Sequence, residues 1–235
     1  MNILLCNKFF RPVGGPESII YELIHRLERQ GHTVPVFAMD HPDNWSSPYS
    51  KYFITNVEYK EGERYGIIRK IQEAARIIYS FDARKRIDRI ICDTKPDVAH
   101  LHNIYHQISP SIIHSLKKHK IPVILSLHDY KLICPSIRMV VKGQICERCV
   151  KGNYFNAVKH RCVKDSLIYS VICCAEAYVQ KILRTYSSVD LFVSPSHFLK
   201  NKMIESGISQ DKIVVMHNAV ELSQFNPTST GDYLL

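Results

Sequence analysis

Several short segments place polar residues where chemistry could occur. His102-Asn103 directly follows the apolar stretch Val98–Leu101, and His128-Asp129 directly follows Pro122–Leu127. A histidine at the end of a buried strand is a general acid/base candidate or a hydrogen-bonding partner for a ligand. The alternative is a structurally satisfied side chain, and with twelve histidines in the chain most must be of that kind. His100 shares a strand face with His102 but lies deeper, and reads as structural. Gly14-Gly15 sits between an apolar run and a helical pattern. Glycine lets a backbone approach a ligand closely, and a helix N-terminus offers free N–H groups to an anion. A plain tight turn is the other reading, since the GxGxxG fingerprint is absent. His217-Asn218 follows a further apolar run and could line the same mouth, or Asn218 could simply cap a loop. Cys134, Cys146, Cys149 and Cys162 form a C-x11-C-x2-C-x12-C series.

The elements that must position these residues follow from periodicity. Asn2–Cys6 reads as a buried strand. Pro16 and Glu17 suit the first turn of a helix carrying Ile19, Ile20, Leu23, Ile24 and Leu27 inward, with Gly31 as its stop. Thr33–Ala38 is the next strand. Strand, glycine turn, helix, strand is the opening of a parallel α/β unit. Tyr52–Tyr59 is a candidate strand. A long helical pattern then carries Ile67, Ile68, Ile71, Ala74, Ala75 and Ile78. Val98–Leu101 and Pro122–Leu127 are strands flanking a helix over 108–119. Residues 131–165 interrupt the alternation as a Cys- and Lys-rich insertion. A helix over 166–186, a strand over 189–193, a helix capped by Ser196 and stopped by Gly207, and a strand over 212–216 complete the pattern. In such a sheet, ligands bind beyond the carboxyl ends of the strands. That is where Gly14-Gly15, His102-Asn103, His128-Asp129 and His217-Asn218 all fall.

The Gly14-Gly15 loop, Pro96–Asn103, Leu127-His128-Asp129, Val193-Ser194-Pro195-Ser196 and His217–Pro227 resemble, in order and spacing, glycosyltransferase family 4. No single motif is specific, but five in register are, and together they cover essentially the whole chain. The resemblance implies a retaining GT-B enzyme: two Rossmann-like domains, each a parallel sheet with helices on both faces, facing one cleft. Residues 1–225 would be the N-terminal, acceptor-side domain. The family's nucleotide-sugar site and Glu-x7-Glu motif belong to the other half, which these residues do not supply. Residues 226–235 read as an interdomain linker and the first residues of a donor-binding domain, or else as a frayed tail. By the same resemblance His128 is the catalytic-site residue, contacting the transferred sugar. Gly14, Gly15, His102, Asn103, Asp129, Ser196 and Asn218 are substrate-binding, and no catalytic metal is expected. The function implied is hexosyl transfer from a nucleotide-sugar to a glycan, lipid-linked or small-molecule acceptor, with this half inactive alone. A non-catalytic acceptor-binding module, a GT-B-fold nucleotide-sugar epimerase and a zinc-stabilised nucleic-acid binder are the rival readings.

The Cys-x2-Cys knuckle with one cysteine on either side suits tetrahedral zinc, and a similar insertion occurs in some family members. Free thiols, or a redox Cys-x2-Cys pair, remain alternatives. Cys6, Cys92, Cys173 and Cys174 read as core residues. Composition is globular: 46% hydrophobic and 23% charged. The net charge of +9 favours anionic partners. Arg64, Arg69, Lys70, Arg76, Arg84, Lys85, Arg86 and Arg89 decorate one helical segment, which could lie on an anionic membrane or be a solvated face. No aromatic-interleaved basic motif suggests nucleic acid. The opening apolar run is too short for a signal peptide, and Leu167–Val179 is too short to span a bilayer, so a cytoplasmic protein is expected, with peripheral contact at the inner membrane face.

Overall fold

The computed structural model describes residues 1–55, 74–106 and 108–218. Six parallel strands form its sheet: β1 Ile3–Cys6, β2 Val36–Phe37, β3 Val98–Leu101, β4 Val123–Ser126, β7 Leu191–Ser194 and β8 Ile213–Val215. Their order is β2-β1-β3-β4-β7-β8. The chain leaves β1 toward β2 at one edge, then returns to place β3 on β1's other side. Successive connections therefore diverge between β1 and β3, which opens a crevice beyond their carboxyl ends. The register sets Cys6 beside Leu101 and Leu101 beside Leu125, so Asn7, His102 and Ser126 sit at one level.

Helices cover both faces. Leu5 of β1 packs with Ile20 and Ile24 of α1, Gly15–Arg29. Leu4 and Cys6 point the other way and join the larger core. That core takes Ile87, Ile90 and Ile91 from α2, Phe81–Thr94, and Ile112, Ile113 and Leu116 from α3, Ile112–Lys118. Burying each such isoleucine is worth about 1.5–3 kcal/mol. Further helices are α4 Phe155–Lys159, α5 Leu167–Ile182 and α6 His197–Glu205.

Several expected elements are shorter, for local reasons. The strand over 33–38 keeps only Val36–Phe37, because Pro35 has no N–H for the ladder; its carbonyl still accepts from Leu5. The helix expected from 108 begins at Ile112, since Ser109 is left-handed (φ 77°) and Pro110 follows. The helix expected to reach 186 ends at Ile182, and Arg184 is left-handed (φ 51°). Of the strand expected over 52–59, Tyr52 belongs to a 3-10 turn and Ile54 bridges Met39; positions 56–59 lie outside the described residues.

The long basic helix is corrected most. Residues 74–78 are helical, but the chain extends at Ser80, whose hydroxyl accepts from Ala83 N to start α2 afresh. Ile67, Ile68, Ile71, Arg64, Arg69 and Lys70 lie outside the described residues. Arg76 donates to Thr55 O (3.0 Å), Arg86 to Phe53 O (2.7 Å), and Arg84 to Ser115 Oγ (3.3 Å). These three cations turn onto the protein, leaving Lys85 and Arg89 exposed.

Within the 131–165 insertion, β5 Val140–Val141 and β6 Gln144–Ile145 form a small antiparallel hairpin. Cys149 and Tyr154 pack against Cys174 of α5. Among the described residues no helix is long and apolar enough to cross a membrane.

Candidate active site at the strand ends

Beyond β1 the chain continues as Asn7-Lys8. Asn7 is buried and braces the crevice: its Oδ1 accepts from Asn103 N (3.1 Å), and its Nδ2 donates to Phe9 O (2.7 Å). Gly14 caps α1 with extended backbone and no side-chain cap, so the first-turn N–H groups are not taken up by a cap. Both glycines are exposed, and a Cβ on Gly15 would meet nothing within 4 Å. The fold does not itself require glycine at 15, while a group approaching the helix N-terminus would benefit from one.

The next strand ends bring three histidines together. Leu5 pairs with His100 in the register, so His100 and His102 both lie on the α1 side of the sheet. Their ring centres are 4.3 Å apart, and His102 stacks on His128 at 5.2 Å. His102 Nδ1 and His128 Nε2 are hydrogen-bonded at 2.9 Å, while His100 Nε2 bonds Ser126 Oγ at 2.8 Å. Burial pushes His128 down to about 4, and burial with the nearby His128 pushes His100 down to about 4. Burial also drives His102 well below its ordinary value, with His100 and His128 adding to it. At neutral pH the three are therefore uncharged imidazoles that bind by hydrogen bonding. His102 is buried, with Nδ1 bonded to His128 and Nε2 lacking a partner. His128 is half-buried, with its Nε2 taken by His102.

Asp129 sits in a second network. Its carboxylate accepts from Lys131 N (2.8 Å) and from the Tyr105 hydroxyl, which also lies 3.1 Å from Asn103 Oδ1. Burial pushes its carboxyl up, against the Lys131 N–H and the ammonium groups of Lys8 and Lys131. Lys8 packs over the Phe9 and Tyr105 rings. Behind Tyr105, Lys131 Nζ meets Glu176 Oε2 at 2.7 Å in a buried ion pair. The cavity among His102, His128 and Asp129 is only about 10 Å³, room for one water. These groups form one wall of a site, not a closed chamber.

The sequence pattern of Glycosyltransferase Family 4 matches residues 13–224. The chain belongs to this family. An uncharacterized 42.6 kDa protein in the cps region of Klebsiella pneumoniae is 28% identical over 232 residues, covering 94% of this chain and 56% of that one. The Anabaena protein HepE, solved in complex with UDP and glucose, superposes with a TM-score of 0.50 at 12% identity, covering 97% of this chain and 47% of that one. The lipopolysaccharide outer core galactosyltransferase WaaB, in its apo form, gives 0.49 at 14% identity, over 94% and 47%. This chain thus spans about half the length of the proteins it matches.

Within this family-4 chain the other expected positions divide. Asn103 is buried and spent on the scaffold, with its backbone carbonyl accepting from Lys8 N as well. Ser196 caps α6, accepting from Leu199 N (3.2 Å). Asn218 is exposed beyond β8, beside His217, whose Nδ1 bonds Pro195 O (2.8 Å). Asn7, Lys8, Tyr105 and Lys131 were missed. Asn7-Lys8 follows a strand end just as His102-Asn103 does, so the same rule would have found that pair.

The four insertion cysteines line one cavity of about 10 Å³. Burial pushes the Cys149 thiol up to about 12, and Cys134, Cys146 and Cys162 add to it. Tetrahedral zinc needs sulfurs about 3.8 Å apart, from a Zn–S distance of about 2.3 Å. Among the described residues only His106, Cys173 and Glu176 bring three ligand atoms within 4.8 Å, so no three of these sulfurs meet that spacing. The four cysteines thus share a cavity without meeting the spacing of a zinc site.

Proposed function

We propose that these residues are the acceptor-side half of a retaining glycosyltransferase that moves a hexosyl unit from a nucleotide-sugar to a glycan, lipid-linked or small-molecule acceptor. The observation that carries the reading is the hydrogen-bonded His102–His128 pair beyond the carboxyl ends of β3 and β4 in a family-4 chain. His128, neutral and half-buried, hydrogen-bonds a hydroxyl of the transferred sugar. The first turn of α1 meets the donor diphosphate or an anionic part of the acceptor through its N–H groups, with Gly15 admitting close approach. Donor binding falls to a second domain across the cleft. The purified chain is expected to turn over no nucleotide-sugar. Joined after Asn218 to the donor half of a family-4 enzyme, it is expected to transfer sugar. Turnover by the chain alone would overturn the half-site assignment, and an inert but folded chimera would overturn the transferase reading.

We also infer that Cys134, Cys146, Cys149 and Cys162 hold one structural zinc ion. The support is their shared cavity, which Ile133, Met139 and Val150 also line. Structural zinc supplies about 10 kcal/mol or more of apparent binding energy in small peptides. Protein purified without chelator should contain about one equivalent of zinc by elemental analysis, and Cys149→Ser should lose it while the sheet stays folded. Four alkylatable thiols and no zinc would leave free cysteines as the answer.

A further inference from the structure

A larger cavity, about 230 Å³, adjoins the strand-end site, with Leu132 and Tyr186 lining both. Its base is the buried ion pair. Lys131 is 5% exposed and Glu176 1%. Burial opposes both charges: it pushes the Glu176 carboxyl up against the pull of Lys131, while the Glu176 carboxylate holds the Lys131 ammonium above the usual lysine range. The other carboxylate oxygen, Glu176 Oε1, is buried and has no hydrogen-bond partner. A buried acceptor without a donor costs about 1–3 kcal/mol, more when charged. His106 Nδ1 and Cys173 lie close to Glu176, but the cation there is already Lys131, bound to the shared oxygen Oε2. Oε2 is thus engaged by Lys131, and Oε1 is the atom left without a partner.

The rim of the cavity carries Lys151, Lys181 and Arg184, all exposed, and none pairs with a carboxylate among the described residues. Lys181 lies against the insertion. Its Nζ packs on Gly152, whose φ of +86° already favours glycine and where a Cβ would fall onto that nitrogen. It also lies 5.9 Å from the centre of the Tyr154 ring. Three like charges at one opening with no acid between them favour an anion. The volume is below the roughly 300–1,000 Å³ of drug-sized ligand sites, which leaves room for about one sugar ring.

We propose that this cavity binds an anionic sugar unit: a hydroxyl donates to Glu176 Oε1, while a carboxylate or phosphate substituent is held by Lys181, Arg184 and Lys151. The inference rests on the transferase reading only in assigning that unit to the acceptor. Amide chemical shifts of the 15N-labelled chain, followed at low salt during titration, provide the test. The probes are glucuronate, glucose 6-phosphate, glucose and inorganic phosphate. At least one anionic sugar should shift amides in 151–154 and 176–184, saturating in the millimolar range and at least tenfold more tightly than glucose. Whichever of the two binds better identifies the anionic group. Lys181→Glu with Arg184→Glu, both at exposed positions, should weaken that binding at least tenfold while the remaining spectrum is unchanged. No binding of either anionic sugar, equal binding of glucose or of inorganic phosphate, or unchanged affinity in the double variant would overturn the proposal. No nucleotide-sugar enters this titration, so its failure leaves the transferase reading standing, and an inert chimera would leave this binding result intact.

Discussion

His102 and His128 differ in exposure, one buried and the other half-buried, and that difference predicts how each responds to substitution. His128→Ala removes a group facing the cleft. In the chimeric enzyme it should lower kcat/KM about a hundredfold or more, within the range for a positioned acid–base or polar group. His119→Ala, at an exposed site beyond α3, should change it less than about twofold. Equal, small effects would remove His128 from the site. The same histidines set a pH dependence. Their folded-state values near 4, for His100 and His128, lie below the ordinary 6.5 of the unfolded chain. Between those values the unfolded state binds more protons, so stability falls as pH drops from about 6.5 to 4 and changes little above 7. Denaturant midpoints measured across that window should decline with acid, and His128→Gln should flatten the decline. An unchanged slope would show that His128 is not buried as the structure has it.

At the scale of elements, most strand ends were legible in the sequence because apolar runs followed by polar residues mark them; five of the six strands lie within segments read as strands, and β7 reaches one residue further, to Ser194. What the sequence hid was how each polar residue is used. Asn103 and Ser196 have the right types at the right places, yet one braces the crevice and the other caps a helix. Type and spacing cannot separate a ligand contact from a cap, because both need the same short oxygen-bearing side chains. The division is testable. Ser196→Ala should cost about 1 kcal/mol of stability in urea unfolding and leave transfer by the chimera nearly unchanged. A large loss of transfer with unchanged stability would return Ser196 to the substrate. The broken basic helix was also hidden. Its apolar period runs through Tyr79-Ser80, and only the serine's capping bond reveals the restart.

For the molecule as a whole, net charge proved a poor guide to where charge is available. Arg76, Arg84 and Arg86, which read as one basic face, are engaged by carbonyl and hydroxyl oxygens. The rim of the 230 Å³ cavity keeps its cations unpaired instead. Phosphatidylserine vesicles at physiological salt should therefore retain little of this chain, because scattered exposed charges are screened. Strong retention that disappears with added salt would restore the membrane reading.

The strand order also has a consequence for synthesis on the ribosome. β1 acquires β2 as a neighbour once residue 37 has emerged, but its other edge waits for β3, which ends at Leu101. At 5–20 residues per second the intervening 64 residues take roughly 3 to 13 s, during which one edge of Ile-Leu-Leu-Cys is open. A strand destined for the interior of the sheet is thus the one most in need of shelter while the chain is young, and the hazard recedes once β3 docks.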